Sequence, residues 1–160
     1  MRVLITGGDG FVGSHLAERL LKRGEEVTLF DREFGPNTKD IDCEKIRGDI
    51  RQPQAVKQAV DGKGVVFHLA AVSRVAWGEQ DPVLCWGTNV SGTVNVLDAC
   101  GRSESRPVLI YASSREVYGD SDDLPVRESH PKNPKSFYGV TKSCAEQAIL
   151  ASSRGVGGLP

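Results

Sequence analysis

Val3-Leu4-Ile5-Thr6-Gly7-Gly8-Asp9-Gly10-Phe11-Val12-Gly13 sets the architecture of the chain. Residues 3–6 are an apolar, β-branched run closed by Gly7, which reads as a strand entering a turn. Residues 11–23 then carry Phe11, Val12, Leu16, Leu20 and Leu21 at helical spacing and stop at Gly24. A second apolar run, residues 27–30, ends at Asp31. Gly8, Gly10 and Gly13 fit Gly-x-Gly-x-x-Gly, and Gly7, Gly10 and Gly13 fit Gly-x-x-Gly-x-x-Gly. Either spacing lets the backbone turn tightly and approach a pyrophosphate, with the free amides of a helix N-terminus facing it. Strand, glycine turn, helix, strand and terminal acid together form a dinucleotide-binding unit, the alternative being a turn with a structural role alone. Asp9 carries the wrong charge for a phosphate site and is expected to point away or to cap the helix.

Outward from this unit the alternation continues. Residues 45–47 are a weak strand before Gly48-Asp49-Ile50, and Pro53 opens a helix through Val60. Residues 65–70 form a continuously apolar strand, as expected where both faces of a parallel sheet are covered. Residues 82–101 read as one long helix with Val90, Val94 and Leu97 on one face, and residues 108–112 as a fifth strand. Residues 120–135 carry three prolines and read as a functional loop, followed by a helix over 136–154. The pattern predicts an α/β fold, a doubly wound parallel sheet with right-handed crossovers. Ligands bind such sheets beyond the strand carboxyl ends, where Gly7, Asp31, Asp49, Ala70 and Ser113 converge.

The chemistry centres on Tyr138 and Lys142 in Tyr-Gly-Val-Thr-Lys (138–142). Four residues apart on a helix, they share one face, and a cation near a phenol favours the phenolate, making it a usable base. Asp31 would accept from ribose hydroxyls and repel a 2′-phosphate, favouring NAD over NADP, although Arg32 beside it suits that phosphate. Ser113 and Ser114, at the end of the fifth strand, offer a hydroxyl to a substrate oxygen or simply form a turn. His68 reads as a satisfied core histidine. Asn89 reads as a ligand for backbone or cofactor, or as a helix-surface residue, and Trp77 and Trp86 as packing or lid residues.

The chain of 160 residues is about one domain, and its net charge of -1 argues against a nucleic-acid or polybasic membrane surface. Its longest apolar stretch, near residues 65–72, is far short of a membrane span. The four cysteines show no Cys-x-x-Cys spacing and no clustered histidines, so no metal site is expected and a reducing cytoplasm is the default.

Thr-Gly-Gly-Asp-Gly-Phe-Val-Gly-Ser-His-Leu (6–16), Gly-Asp-Ile (48–50), His-Leu-Ala-Ala (68–71), Thr-Asn-Val-Ser-Gly-Thr (88–93), Ser-Ser-Arg-Glu-Val-Tyr-Gly (113–119) and the 138–142 motif follow one another along the chain. In that order they resemble the extended short-chain dehydrogenase/reductase family, in its nucleotide-sugar epimerase and dehydratase branch. The resemblance implies a Rossmann-like domain over residues 1–160 that binds NAD. Ser114, Tyr138 and Lys142 would be catalytic, Tyr138 as acid/base and Lys142 as holder of the nicotinamide ribose. Cofactor contacts would come from Gly7, Gly10, Phe11, Val12 and Gly13, from Asp31 and Arg32, and from Asp49 and Ile50 beside the adenine. Leu69, Ala70, Ala71 and Asn89 would line the rest, with Tyr138 and Lys142. The implied reaction is epimerisation of a nucleotide sugar through a transient ketone, with dehydratase, decarboxylase or reductase chemistry as alternatives, or a non-catalytic NAD-binding module.

Two positions depart from the branch. Dehydratases carry an Asp-Glu pair where this chain has Arg115-Glu116, and Ser73 stands where UDP-galactose 4-epimerases place a lysine. Family members are about twice as long, so the expectation is a fragment or truncated product that lacks the substrate-binding part and does not turn over sugar nucleotides alone. Homodimers through the helices at 82–101 and 136–154 are expected of the full-length form.

Overall fold

The computed structural model describes residues 1–121 and 123–153. Five parallel strands form one sheet: β1 (Arg2–Thr6), β2 (Glu26–Asp31), β3 (Glu44–Arg47), β4 (Val65–His68) and β5 (Val108–Tyr111). Their order is β3-β2-β1-β4-β5, doubly wound about β1 as the alternating pattern predicts. Helices α1 (Phe11–Lys22) and α2 (Pro53–Val60) form two of the crossovers. Short α3 (Val75–Gln80) and α4 (Pro82–Trp86) lead through a π-helical turn (Gly87–Gly92) into α5 (Thr93–Arg102), and α6 (Phe137–Ser153) follows the proline-rich loop. The expected helix end at Arg154, the terminal Gly157-Gly158-Leu159-Pro160 and Asp122 lie outside the described residues.

Successive side chains of a strand point to opposite faces, so an uninterrupted apolar strand feeds two cores. Leu4, Phe30 and Val66 pack with Val56, Val60, Val96 and Ala99 on the α2/α5 side. Val3, Ile5, Val27 and Leu29 pack with Ala17 and Leu20 of α1 on the other. Each fully buried Leu, Ile or Phe contributes about 1.5–3 kcal/mol relative to exposure.

Three expectations change. β4 ends at His68 rather than Ala70, because its neighbour turns away at Gly7 (φ 71°), leaving the Ala70 N–H to donate to Thr6 Oγ1 (3.3 Å) instead of a ladder carbonyl. β5 likewise ends at Tyr111 rather than Ala112. The long helix over 82–101 is split, and α3 ahead of it carries no periodicity long enough to reveal it. The π-helical turn inserts where Gly92 meets Ile50; a Cβ there would sit 2.7 Å from Ile50 Cδ1. Its extra residue per turn rotates α5, so Thr93, Val96, Ala99 and Cys100 are buried while Val94 is 43% exposed. Among the described residues no helix is long and apolar enough to cross a membrane.

Candidate functional site

A cleft of about 210 Å³ opens beyond the carboxyl ends of β1, β2 and β4. Gly7, Gly10, Asp31, Arg32, Asp49 and Ile50 line it. Leu69, Ala70 and Ala71, which follow β4, form a further stretch of its wall. Gly48 and Thr88, which open two of the stretches quoted above, and the departing position Ser73 also line it, as do Phe30, Val72 and Leu84, which no separate signal in the sequence marks as site residues.

The glycine loop is tight. A Cβ on Gly7 would lie 2.7 Å from Ala70 N, and one on Gly13 2.3 Å from Gly7 O, so side chains there would displace backbone. Gly7 also needs its positive φ of 71°. Ser14 N–H donates to Gly10 O (2.9 Å), starting the helical ladder and leaving the amides of Phe11, Val12 and Gly13 without intrahelical acceptors. Phe11 and Val12 point outward, 77% and 62% exposed, and do not line the cleft; nor does the buried Gly13.

Asp9 turns away from the loop, as expected, and leaves the helix uncapped. Its carboxylate accepts from Gly35 N–H (3.1 Å) and from the Thr38 hydroxyl, and its carbonyl accepts from Asn37 Nδ2 (2.7 Å). Asp9 N–H donates to Asp31 Oδ2 (3.0 Å), and Arg32 N–H to Asp31 Oδ1 (2.7 Å). Asp31 is thus oriented at the strand end with lone pairs left for the cleft. The Asp49 carboxylate is gripped by the Arg51 guanidinium (Nη2 to Oδ2, 2.6 Å), which holds its pKa below the usual carboxylate range.

Asn89 lies behind the cleft wall, neither in the cleft nor on a helix surface. Its Oδ1 accepts from Val72 N–H (2.8 Å), while Nδ2 donates to Val72 O (3.1 Å) and Thr141 Oγ1 (3.0 Å). Thr141 Oγ1 donates to Tyr138 O (2.7 Å), so one buried amide ties the cleft wall to α6. His68 is buried and satisfied, as expected of a core histidine. Thr93 Oγ1 gives its proton to Asn89 O (2.7 Å) and so accepts from His68 Nε2 (2.9 Å), leaving Nδ1 to accept from Thr6 Oγ1 (2.7 Å). Burial holds the imidazole neutral, with its pKa pushed down to about 3.

The start of α6 is built by two other elements. Glu79 of α3 accepts from Phe137 N–H (2.7 Å), placing an anion at the positive end of the helix, and Ser136 Oγ accepts from Gly139 N–H (3.0 Å). Tyr138 and Lys142 are 8% and 4% exposed. Burial lowers the Lys142 pKa to about 8, against the opposing pull of Glu146 and Cys85, and its Nζ sits 4.3 Å above the Tyr111 ring. Gly139 lets the turn at Arg115–Val117 press on α6; a Cβ there would be 2.7 Å from Glu116 O.

That turn holds Ser114, which is therefore past the strand end and not in it. Its Oγ accepts from Glu116 N–H (3.2 Å), and it lines a second, open groove with Tyr118, Glu128 and Glu146. Arg115 pairs with Glu116 (3.6 Å) at the surface. Trp77 stacks under Arg74 (4.7 Å) and Trp86 faces Phe137 (6.5 Å), both packing contacts. Of the positions that sequence reasoning passed over, Ser136 had a legible signal, a serine one residue before an apolar helical run. Glu79, Thr141 and Tyr111 had none, since each acts across the fold.

Solved structures share this fold, and curated relatives share the sequence. The chain superposes on the UDP-glucose 4-epimerase of Thermus thermophilus in complex with NAD with a TM-score of 0.89, at 33% identity over 96% of this chain and 51% of that one. It is 33% identical to the UDP-glucose 4-epimerase of Corynebacterium glutamicum over 98% of this chain and 48% of the relative. It is 37% identical to the 2-alkyl-3-oxoalkanoate reductase of Stenotrophomonas maltophilia over 96% of this chain and 47% of the relative. The chain thus spans about half the length of the relatives it matches. The pattern of the NAD dependent epimerase/dehydratase family matches residues 3–159, and the chain belongs to that family.

Proposed function

We propose that this chain is the cofactor-binding and catalytic half of an NAD-dependent epimerase acting on a nucleotide sugar. One observation carries it: the cleft joins a glycine loop too tight for side chains, the Asp31 carboxylate at a strand end and a wall that Asn89 ties to the helix of Tyr138 and Lys142. The residues fit a dinucleotide. The amides of Phe11, Val12 and Gly13 would hold its pyrophosphate, and Asp31 its adenosine ribose. Asp49 and Ile50 would flank the adenine, Leu69, Ala70 and Ala71 the middle, and Lys142 the second ribose. NAD, when bound, supplies a reversible acceptor and donor of hydride.

The chain's own work is proton transfer. Tyr138 takes the proton of a substrate hydroxyl as that carbon becomes a carbonyl, and returns it when the carbon is reduced again. Lys142, cationic and buried one turn further on, sets the positive potential in which that proton moves. Ser114 would donate to the same substrate oxygen. Dehydration needs an acid to expel a hydroxyl, and Arg115, paired with Glu116, cannot serve. The remainder of a longer protein would grip the sugar nucleotide, and homodimers would form through α4, α5 and α6 in a reducing cytoplasm.

The test titrates the protein with NADH and NADPH by fluorescence and assays UDP-glucose epimerisation by the complete protein. NADH should bind at least about tenfold tighter, with the preference lost in Asp31→Ala, since a 2′-phosphate meets a carboxylate. Turnover should vanish in Tyr138→Phe. Equal or tighter NADPH binding refutes the role of Asp31, and turnover surviving Tyr138→Phe refutes that of Tyr138.

A further inference from the structure

Lys142 poses a physical problem. A buried ammonium must be compensated, and the carboxylate that bears on it, Glu146 of α6, is already paired with Lys132. The other groups bearing on Lys142 are Cys85 on α4, His68 on β4 and Tyr111 on β5. Cys85 and His68 are neutral: burial raises the thiol pKa and lowers the imidazole pKa. Tyr111 presents the face of its ring to Nζ at 4.3 Å, well inside the range in which a desolvated cation is held by an aromatic quadrupole.

The ring is itself held in place. Tyr111 pairs in register with His68 across β4 and β5, and the two rings lie 5.7 Å apart at 37°. His68 is pinned on both nitrogens by Thr6 and Thr93. The Tyr111 hydroxyl, by contrast, is buried without a hydrogen-bond partner among the described residues. A buried phenol whose hydroxyl bonds nothing is placed by its ring.

We infer that Tyr111 is the positioning residue for Lys142: its ring face, not its hydroxyl, holds the ammonium protonated and aimed along the face of α6 that carries Tyr138. This deepens the proposed function, resting on Lys142 acting there as a cation, but its test needs neither cofactor nor substrate. Loss of the ring should leave the ammonium less stabilised, so Lys142 would surrender its proton at lower pH.

The experiment follows the lysine side-chain NMR signals of the whole chain through a pH titration, with Lys142 assigned by Lys142→Arg. Tyr111→Phe should titrate within about 0.2 pH unit of the parent, and Tyr111→Leu about half a pH unit to one pH unit lower. Because Tyr111→Leu could also disturb packing, a second series replaces Tyr111 by phenylalanines of increasing ring fluorination, which keep the shape and drain the ring face of charge. Their midpoints should fall stepwise with fluorination. An unchanged midpoint across that series would overturn the inference, as would a Tyr111→Phe shift as large as that of Tyr111→Leu. Failure of epimerase turnover would touch the proposed function and leave this result standing.

Discussion

Acidifying the protein should unfold it through His68 before most other groups matter. In the native state the imidazole is fully buried, donating to Thr93 and accepting from Thr6, with its pKa lowered from 6.5 to about 3. The unfolded chain binds a proton near 6.5 that the folded chain refuses. A depressed folded pKa means the contribution is whole above 6.5 and is lost progressively as pH falls towards 3. At about 1.4 kcal/mol per pH unit, moving from about pH 7.5 to about pH 5 removes about 2 kcal/mol. That is a large share of the roughly 5–15 kcal/mol typical of a domain. The assay is urea unfolding followed by the fluorescence of Trp77 and Trp86 at both pH values, for the parent and for His68→Gln. Glutamine can still offer a donor to Thr93 and an acceptor to Thr6 but binds no proton. The parent should lose about 2 kcal/mol more than the variant between the two pH values, while carboxylates and the other two histidines cancel in the difference. Equal losses would refute the reasoning.

Two further outcomes follow from packing. Gly13→Ala places a methyl 2.3 Å from Gly7 O; it should cost about 1–3 kcal/mol in a thermal melt and weaken NADH binding in a calorimetric titration, because the loop must shift to admit it. Asn89→Ala removes both partners of the partly buried Val72 N–H and C=O, so about 1–3 kcal/mol should be lost in chemical unfolding, with NADH affinity falling as the cleft wall loosens.

The parts of the site that could be read in the sequence are those made by neighbours. Gly7, Gly10 and Gly13 announce a tight loop because strand, turn and helix are contiguous, and Asp31 announces itself by ending the next strand. Tyr138 and Lys142 share a helix face by spacing alone. The misread parts involve competition between local pattern and distant partners. Residues 82–101 have helical periodicity throughout, yet Gly92 must yield to Ile50 and Asn89 must reach Val72, and a π-helical turn resolves both. Residues 65–70 are apolar but for His68, yet a ladder stops when its neighbour turns, and the chain turns at Gly7.

Local spacings of about two to four residues are enough to encode the order of strands and helices, the doubly wound sheet, the glycine loop and the helix of Tyr138 and Lys142. Three other features came into view only with the chain folded: Asp9 organises the loop at residues 35–38, Asn89 is a buried clamp, and Tyr111 lies beneath Lys142. Those contacts join residues far apart in the chain, and burial sets their strength: the low-dielectric interior makes every unpaired amide or ammonium costly, so packing dictates the partners.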